Sequence, residues 1–216
     1  MTHPANMQPI LQVALDLING HRALSIAEQA IAGGADWIEV GTPLIKAEGM
    51  EIIRQLKHRF PNQTIVADMK TMDTGAIETE MASKAGAQII CLLGVADTST
   101  IQEATKAARK YGTKIMVDLI GVKKYIERAH ELEHLGIDYL CIHIGIDQQM
   151  TGIRPLECLK KLAKTTTIPI AVAGGLNSET VADVVKAGAH IIITGGAITG
   201  AQNVTHATQQ IKKAIQ

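Results

Sequence analysis

Aromatic residues are almost missing from this chain: one Trp, one Phe and three Tyr among 216 residues, 2% in all. That leaves no stacking platform for nucleobases. The core has to be built from Ile, Val, Leu, Ala and Met. Net charge is missing too. The 21 basic and 21 acidic residues cancel, which argues against bulk binding to nucleic acid or to an anionic membrane. No apolar run approaches the ~18 residues that a membrane-spanning helix needs. Residues 1–9 have neither a basic start nor an apolar stretch, so no secretory signal is visible. Cysteine is scarce: Cys91, Cys141 and Cys158, with no C-x-x-C pair. Cys91 and Cys141 sit in apolar, strand-like runs. They read as buried free thiols in a reducing cytoplasm, not as disulfides or a zinc site.

What is present is enough for one domain. Hydrophobic residues make up 46% of the chain, and no linker divides it. We read 1–216 as a single domain, with 1–8 as a short N-terminal extension. A repeat organises it. Gly34, Gly86, Gly136 and Gly188 each precede a short apolar run. Their spacing is 52, 50 and 52 residues (34 to 86, 86 to 136, 136 to 188). Each glycine suits the position just past a helix C-terminus, with a strand following at once. Four more strands are expected between these, over 10–16, 64–68, 113–118 and 167–173. Amphipathic helices fill the gaps, for example over 101–111 and 123–135. Two βα units of ~25 residues per step give eight units, the arithmetic of a compact (β/α)8 TIM barrel. The strands are near-continuous apolar runs, as parallel strands covered on both faces should be. A doubly wound open sheet would use the same alternation. Its regularity to the end of the chain favours closure.

In such a barrel, functional residues sit at the C-terminal ends of the strands. Those ends carry charge. Asp16 follows Val13-Ala14-Leu15, and Glu39 follows Trp37-Ile38. Asp68 follows Val66-Ala67, with Lys70 two residues on and Asp73 beyond; Asp118 follows Met116-Val117. His143 ends the sixth strand, and Gly174-Gly175 and Gly195-Gly196 follow the seventh and eighth. Strand side chains alternate, which would point Asp68 and Lys70 the same way. One acid in such a place is most simply a helix cap or an ion-paired core residue. Four acids, a lysine and a histidine at one mouth are harder to explain that way, because the carboxylates would repel without a cation. Only oxygen ligands are on offer besides His143, which favours Mg2+ or Mn2+ over zinc. Glu39 and Asp68, on adjacent strands, are the expected ligand pair. The two glycine pairs stand where barrels often bind phosphate through backbone N–H groups, so a phosphorylated substrate is expected. His143 is a general acid–base candidate. His190, at a strand start, is read as structural. His58, His130 and His134 are read as solvated helix positions.

Asp68-x-Lys70-x-x-Asp73, with Asp16, Glu39, His143 and the glycine pairs, resembles the orotidine-phosphate decarboxylase suprafamily of barrels. Nearly the whole chain takes part, including Leu11 to Asp16, Ile38 to Lys46, Val66 to Gly75, His143 to Gln149 and Ala171 to Gly175. Within the suprafamily the pattern is most similar to the 3-hexulose-6-phosphate synthase branch. Orotidine-phosphate decarboxylases use no metal, so Glu39 and His143 would be surplus there. Ribulose-phosphate epimerases bind metal largely through histidines. The 3-keto-L-gulonate-6-phosphate decarboxylase branch shares the metal site. It typically has arginine at the places of Ile146 and Gly196, Glu in place of Asp118 and Thr in place of Ala173. This chain departs from that branch at all four.

The resemblance implies a metal-dependent aldolase. D-Ribulose 5-phosphate would add reversibly to formaldehyde through an enediolate, giving D-arabino-hex-3-ulose 6-phosphate. It implies His143 as the C1 base, Asp118 orienting it or a substrate hydroxyl, and Lys70 beside the enediolate. Asp16 and Asp73 would position Lys70 and the sugar hydroxyls. Ile146 and Ala173 would shape specificity, with Ile146 walling a small, dry space for formaldehyde. Relatives reach a partner's site with the acid matching Asp73, so a cytoplasmic homodimer is expected. Two other readings stay open at this point: the decarboxylase, and a non-catalytic sugar-phosphate-binding barrel.

Overall fold

The computed structural model describes residues 8–145, 147 and 155–216. Eight parallel strands close into a barrel in chain order. They are β1 (Ile10–Leu15), β2 (Trp37–Val40), β3 (Thr64–Thr71), β4 (Ile89–Leu93), β5 (Lys114–Asp118), β6 (Tyr139–His143), β7 (Ile170–Ala173) and β8 (Ile191–Thr194). Closure comes from β1 pairing with β8, where Val13 stands opposite Thr194. The open sheet is thereby excluded. No helix of the described residues is long and apolar enough to cross a membrane.

Strand parity splits the core into two layers. Leu11, Val13, Ile38, Val40, Ile65 and Ala67 point outward and pack under the helices. Ala14, Val66, Ile89, Cys91, Met116 and Cys141 point into the barrel. Because alternate residues share a face, the last inward residue of several strands falls at the mouth. Those residues are Glu39, Asp118 and His143; Asp68, just before the irregular end of β3, and Cys91, one inward position before Leu93, also reach the cavity there. The barrel's lower end is plugged differently. Trp37 and Tyr139, at the starts of β2 and β6, meet edge to face with centroids 5.6 Å apart. So two of the five aromatics are spent on the floor, and none lines the cavity at the mouth.

The four repeat glycines all have left-handed φ, +98° at Gly34, +107° at Gly86, +73° at Gly136 and +103° at Gly188. A side chain there would be strained, which explains why the repeat is written in glycine. Local boundaries depart from the sequence expectations. The fifth strand begins at Lys114 rather than 113, and β1 stops at Leu15, leaving Asp16 just past its end. β7 starts at Ile170 rather than 167. Pro169 has no N–H to give a ladder, and Thr166 and Thr167 instead bond Glu133.

The largest difference lies in β3, which runs on to Thr71 instead of ending at Asp68. Its register against β4 shifts between Ala67 and Thr71. Lys70 sits inside that irregularity with φ +47°, a conformation that costs a non-glycine residue ~1–3 kcal/mol. The closeness of Lys70 to Asp68 is therefore made by a bulge and not by a regular pleat. His190 lies at the opposite end of the barrel, where its carbonyl accepts from the Ile10 N–H and its Nδ1 from the Ile170 N–H.

Candidate active site

A cavity of about 910 Å3 opens at the C-terminal ends of the strands. That is the size of a small-molecule site. Asp16, Glu39, Asp68, Lys70, Asp118 and His143 all line it. So do Ala173, Gly174, Gly175, Gly195 and Gly196.

Lys70 is the hub. Its Nζ donates to both carboxylate oxygens of Asp68, at 2.8 and 3.1 Å. It also donates to Asp118 Oδ2 at 3.2 Å. Burial works against the Lys70 charge, but Asp68 and then Asp118 outweigh it and push its pKa up. Lys70 therefore stays an ammonium and cannot serve as a base. Asp118 Oδ2 lies 2.7 Å from His143 Nδ1. Asp118 Oδ1 accepts the Ile120 N–H at 2.9 Å. Burial pushes the Asp118 carboxyl up, yet the His143 hydrogen bond and the nearby charges of His143 and Lys70 bring it below its ordinary value. An ionised Asp118 makes Nδ1 the donor and leaves Nε2 as the ring nitrogen free to exchange a proton with substrate.

The acids on β1–β3 are held differently. Gln12 Nε2 donates to Glu39 Oε2 at 2.9 Å inside the barrel. Thr42 Oγ1 stands 2.7 Å from the Asp68 carbonyl and 2.8 Å from its Oδ2; its single proton serves one of them at a time. Burial, then the neighbouring Asp68 carboxylate, hold Glu39 well above the ordinary carboxyl range. Burial and Asp68 also raise Asp16. Asp16 lies tightly over Gly41, where any side chain would collide with the Asp16 carboxylate.

This arrangement fits a divalent cation. Two buried carboxylates, Glu39 and Asp68, converge while the one nearby ammonium is shared between Asp68 and Asp118. Cys91 joins them: one donor atom from each of Glu39, Asp68 and Cys91 lies within 4.8 Å of the others. The sequence expectation named only oxygen ligands besides His143; the geometry adds a sulfur beside them. Cys91 is buried and free, as read from the sequence, but it faces the site. Strand parity is the signal that could have found it.

The glycine side of the mouth offers backbone. Gly174 and Gly175 have φ of +111° and +67°. A side chain at Gly174 would collide with the Ile144 carbonyl, whereas one at Gly196 would meet nothing within 4 Å. Ala173 lies beside them as the last residue of β7.

One expected site residue is not brought together with the rest. Asp73 is exposed, outside the lining of its own cavity, and its Oδ1 accepts the Thr74 N–H at 2.7 Å. Ile146 lies outside the described residues. Gln12 and Thr42 were not anticipated. A glutamine inside the apolar run Leu11-Gln12-Val13 was the visible clue to the first.

Fold and site together define a barrel enzyme that gathers an ammonium, a histidine and buried acids over a glycine-lined rim. The chain belongs to the Orotidine 5'-phosphate decarboxylase / HUMPS family, which matches residues 9–211, and within it to the branch of the 3-hexulose-6-phosphate synthases. It is 42% identical over 205 residues to the 3-hexulose-6-phosphate synthase of Mycobacterium gastri, covering 95% of this chain and 99% of that protein. The crystal structure of 3-hexulose-6-phosphate synthase from Salmonella typhimurium is 36% identical with a TM-score of 0.92, covering 95% of this chain and 98% of that one. The 3-keto-L-gulonate-6-phosphate decarboxylase from Vibrio cholerae O1 biovar El Tor str. N16961 is 31% identical with a TM-score of 0.86, covering 96% of this chain and 97% of that one.

Proposed function

We propose that this enzyme condenses D-ribulose 5-phosphate with formaldehyde to D-arabino-hex-3-ulose 6-phosphate. The observation that carries the reading is the chain of contacts from Lys70 through Asp118 to His143, facing a glycine-lined rim across one cavity. His143 Nε2 takes a proton from C1 of the pentulose phosphate. The electron pair moves into an enediolate whose oxygen faces the Lys70 ammonium. Preorganised positive charge of this kind stabilises a developing oxyanion without reorganisation. Glu39 and Asp68 would hold Mg2+ or Mn2+, which when bound supplies further positive charge beside that oxygen. C1 then attacks the formaldehyde carbon, forming one carbon–carbon bond. The formaldehyde oxygen takes up the proton from His143 and becomes a hydroxyl. The old C2 carbonyl is now the C3 ketone. Every step reverses through the same groups.

The remaining residues position the sugar. Asp118 keeps Lys70 charged and His143 in the Nδ1–H tautomer. Asp16 accepts from sugar hydroxyls. Backbone N–H groups at 174–175 and 195–196 take the phosphate, and Ala173 leaves room beside it. Ile146 supplies an apolar wall for formaldehyde. Asp73 acts in a second copy's site within a homodimer. The exposed Met72, Ile77 and Met81 beside Asp73 give that contact an apolar face. The free cysteines support a cytoplasmic location.

The test offers both candidate substrates to one preparation. Ribulose 5-phosphate with formaldehyde should yield the hexulose phosphate, identified by mass and NMR. Release of CO2 from 3-keto-L-gulonate 6-phosphate with no consumption of formaldehyde would replace this reading with the decarboxylase.

A further inference from the structure

We propose that Cys91 is a third protein donor to the cation held by Glu39 and Asp68, so that the site takes thiophilic divalent ions such as Co2+, Zn2+ and Cd2+ with a direct metal–sulfur bond. This deepens the metal-dependent reading above and rests on it. Three consecutive strands, β2, β3 and β4, each carry one donor on the inward side. These are the Glu39 carboxylate, the Asp68 carboxylate and the Cys91 sulfur. All three residues are buried, at 6%, 6% and 3% exposure. Their donor atoms lie within 4.8 Å of one another. Metal–oxygen bonds of ~2.1 Å and metal–sulfur bonds of ~2.3 Å put donors ~3.5 Å apart on a tetrahedral ion, so small side-chain rotations close the set.

Gln12 donates its Nε2 to Glu39, and its own buried Oε1 finds no hydrogen-bond partner among the described residues. Lys70, the neighbouring cation, is engaged by Asp68 and Asp118. The two carboxylates alone suit Mg2+ or Mn2+, and the thiol beside them widens the set to softer ions. Sulfur adds affinity for softer ions, and the ordinary order of divalent binding then favours them further. On binding, the metal–sulfur bond forms as the thiol proton leaves to solvent through the open mouth. No electron is transferred.

The experiment is a Co2+ titration of the metal-free wild-type enzyme under anaerobic conditions, read by absorption. One equivalent should develop the near-ultraviolet thiolate-to-cobalt charge-transfer band. Cys91→Ser and Cys91→Ala should lose that band. Each should also lower the ratio of Co2+ to Mn2+ affinity by at least tenfold (~1.4 kcal/mol), with Mn2+ followed by electron paramagnetic resonance. Cys141→Ser should keep the band. Stoichiometric Co2+ binding without the band in the wild type would overturn the proposal and leave the Glu39–Asp68 site standing. Persistence of the band in both Cys91 variants would do the same. Failure of Co2+, Mn2+ and Mg2+ alike to bind would overturn both the proposal and the metal-dependent reading beneath it.

Discussion

The mouth of this barrel has two unlike halves. From β1 through β6 it is built of side chains: Asp16, Glu39, Asp68, Lys70, Asp118 and His143, of which Lys70 binds Asp68 and Asp118, Asp118 binds His143, and Glu39 is held by Gln12, at 2.7–3.2 Å. Around β7 and β8 it has no charged side chain among the described residues: Gly174, Gly175, Gly195 and Gly196 stand there beside Ala173, Leu176, Asn177, Ile193 and Ala197. The difference follows from the two ends of the substrate we assign. A reacting carbon next to a carbonyl needs groups that move a proton and meet a developing charge. A phosphate that does not react needs only donors that fit closely, and backbone N–H groups meet that need when no Cβ intervenes. One half should therefore control turnover and the other binding.

The sharpest way to break that division is Lys70→Ala. Its removal takes away the ammonium that faces the enediolate and leaves Asp68 and Asp118 buried without their shared cation. We expect kcat/KM to fall by about a thousandfold or more, ~4 kcal/mol of transition-state stabilisation. Circular dichroism should show an intact barrel. Activity within tenfold of wild type would end the role given to Lys70.

The glycine half should answer differently. Gly174→Ala places a methyl against the Ile144 carbonyl at a φ of +111°, costing about 1–3 kcal/mol. We expect a raised KM for the sugar phosphate and a lower Tm, with kcat less affected. Gly196→Ala points into open space and should change Tm by less than about 0.5 kcal/mol equivalent. If the two glycine variants behave alike, close backbone approach at Gly174 is not what shapes this half.

A smaller effect sharpens the electrostatic side. The Glu39 carboxyl is pushed well above its ordinary range by burial and by Asp68. The folded state thus holds that proton more tightly than the unfolded one. Below the ordinary carboxyl range both states are protonated and nothing is lost. As pH rises above it, the unfolded chain releases its proton first and the metal-free fold loses stability. Glu39→Gln removes this loss. In EDTA near neutral pH its Tm should exceed that of wild type by about 2–4 °C, the shift ~1 kcal/mol makes in a domain of this size. The gap should close in acid. A gap that stays constant with pH would mean that the Glu39 charge is not its source.

Much of this architecture was legible in the chain. The glycines at 34, 86, 136 and 188 announced eight βα units because a helix that must end and turn at once into a strand needs a left-handed residue. Apolar runs ending in acids located the mouth, since a barrel exposes only the carboxyl ends of its strands to ligand. The β3 bulge was not legible. A shift in register arises between strands, and nothing in Met69-Lys70-Thr71 alone announces a left-handed lysine. Nor were the partners of the acids. Gln12 meets Glu39, and Thr42 meets Asp68, only because parallel pairing sets β1, β2 and β3 side by side. Cys91 was correctly read as buried, but burial inside a barrel near its mouth is also access to the site. Local pattern shows how deep a residue lies and not what it faces.

The central claim is that the side-chain half makes a carbanion equivalent at C1 before any carbon–carbon bond forms. Its most direct measurement is proton exchange in D2O with ribulose 5-phosphate and no formaldehyde, followed at C1 by NMR. Wild-type enzyme with Mg2+ should replace one C1 hydrogen by deuterium, and EDTA or His143→Ala should stop the exchange. Exchange that continues unchanged in His143→Ala, or that is absent from a wild-type preparation that still consumes formaldehyde, would contradict the account.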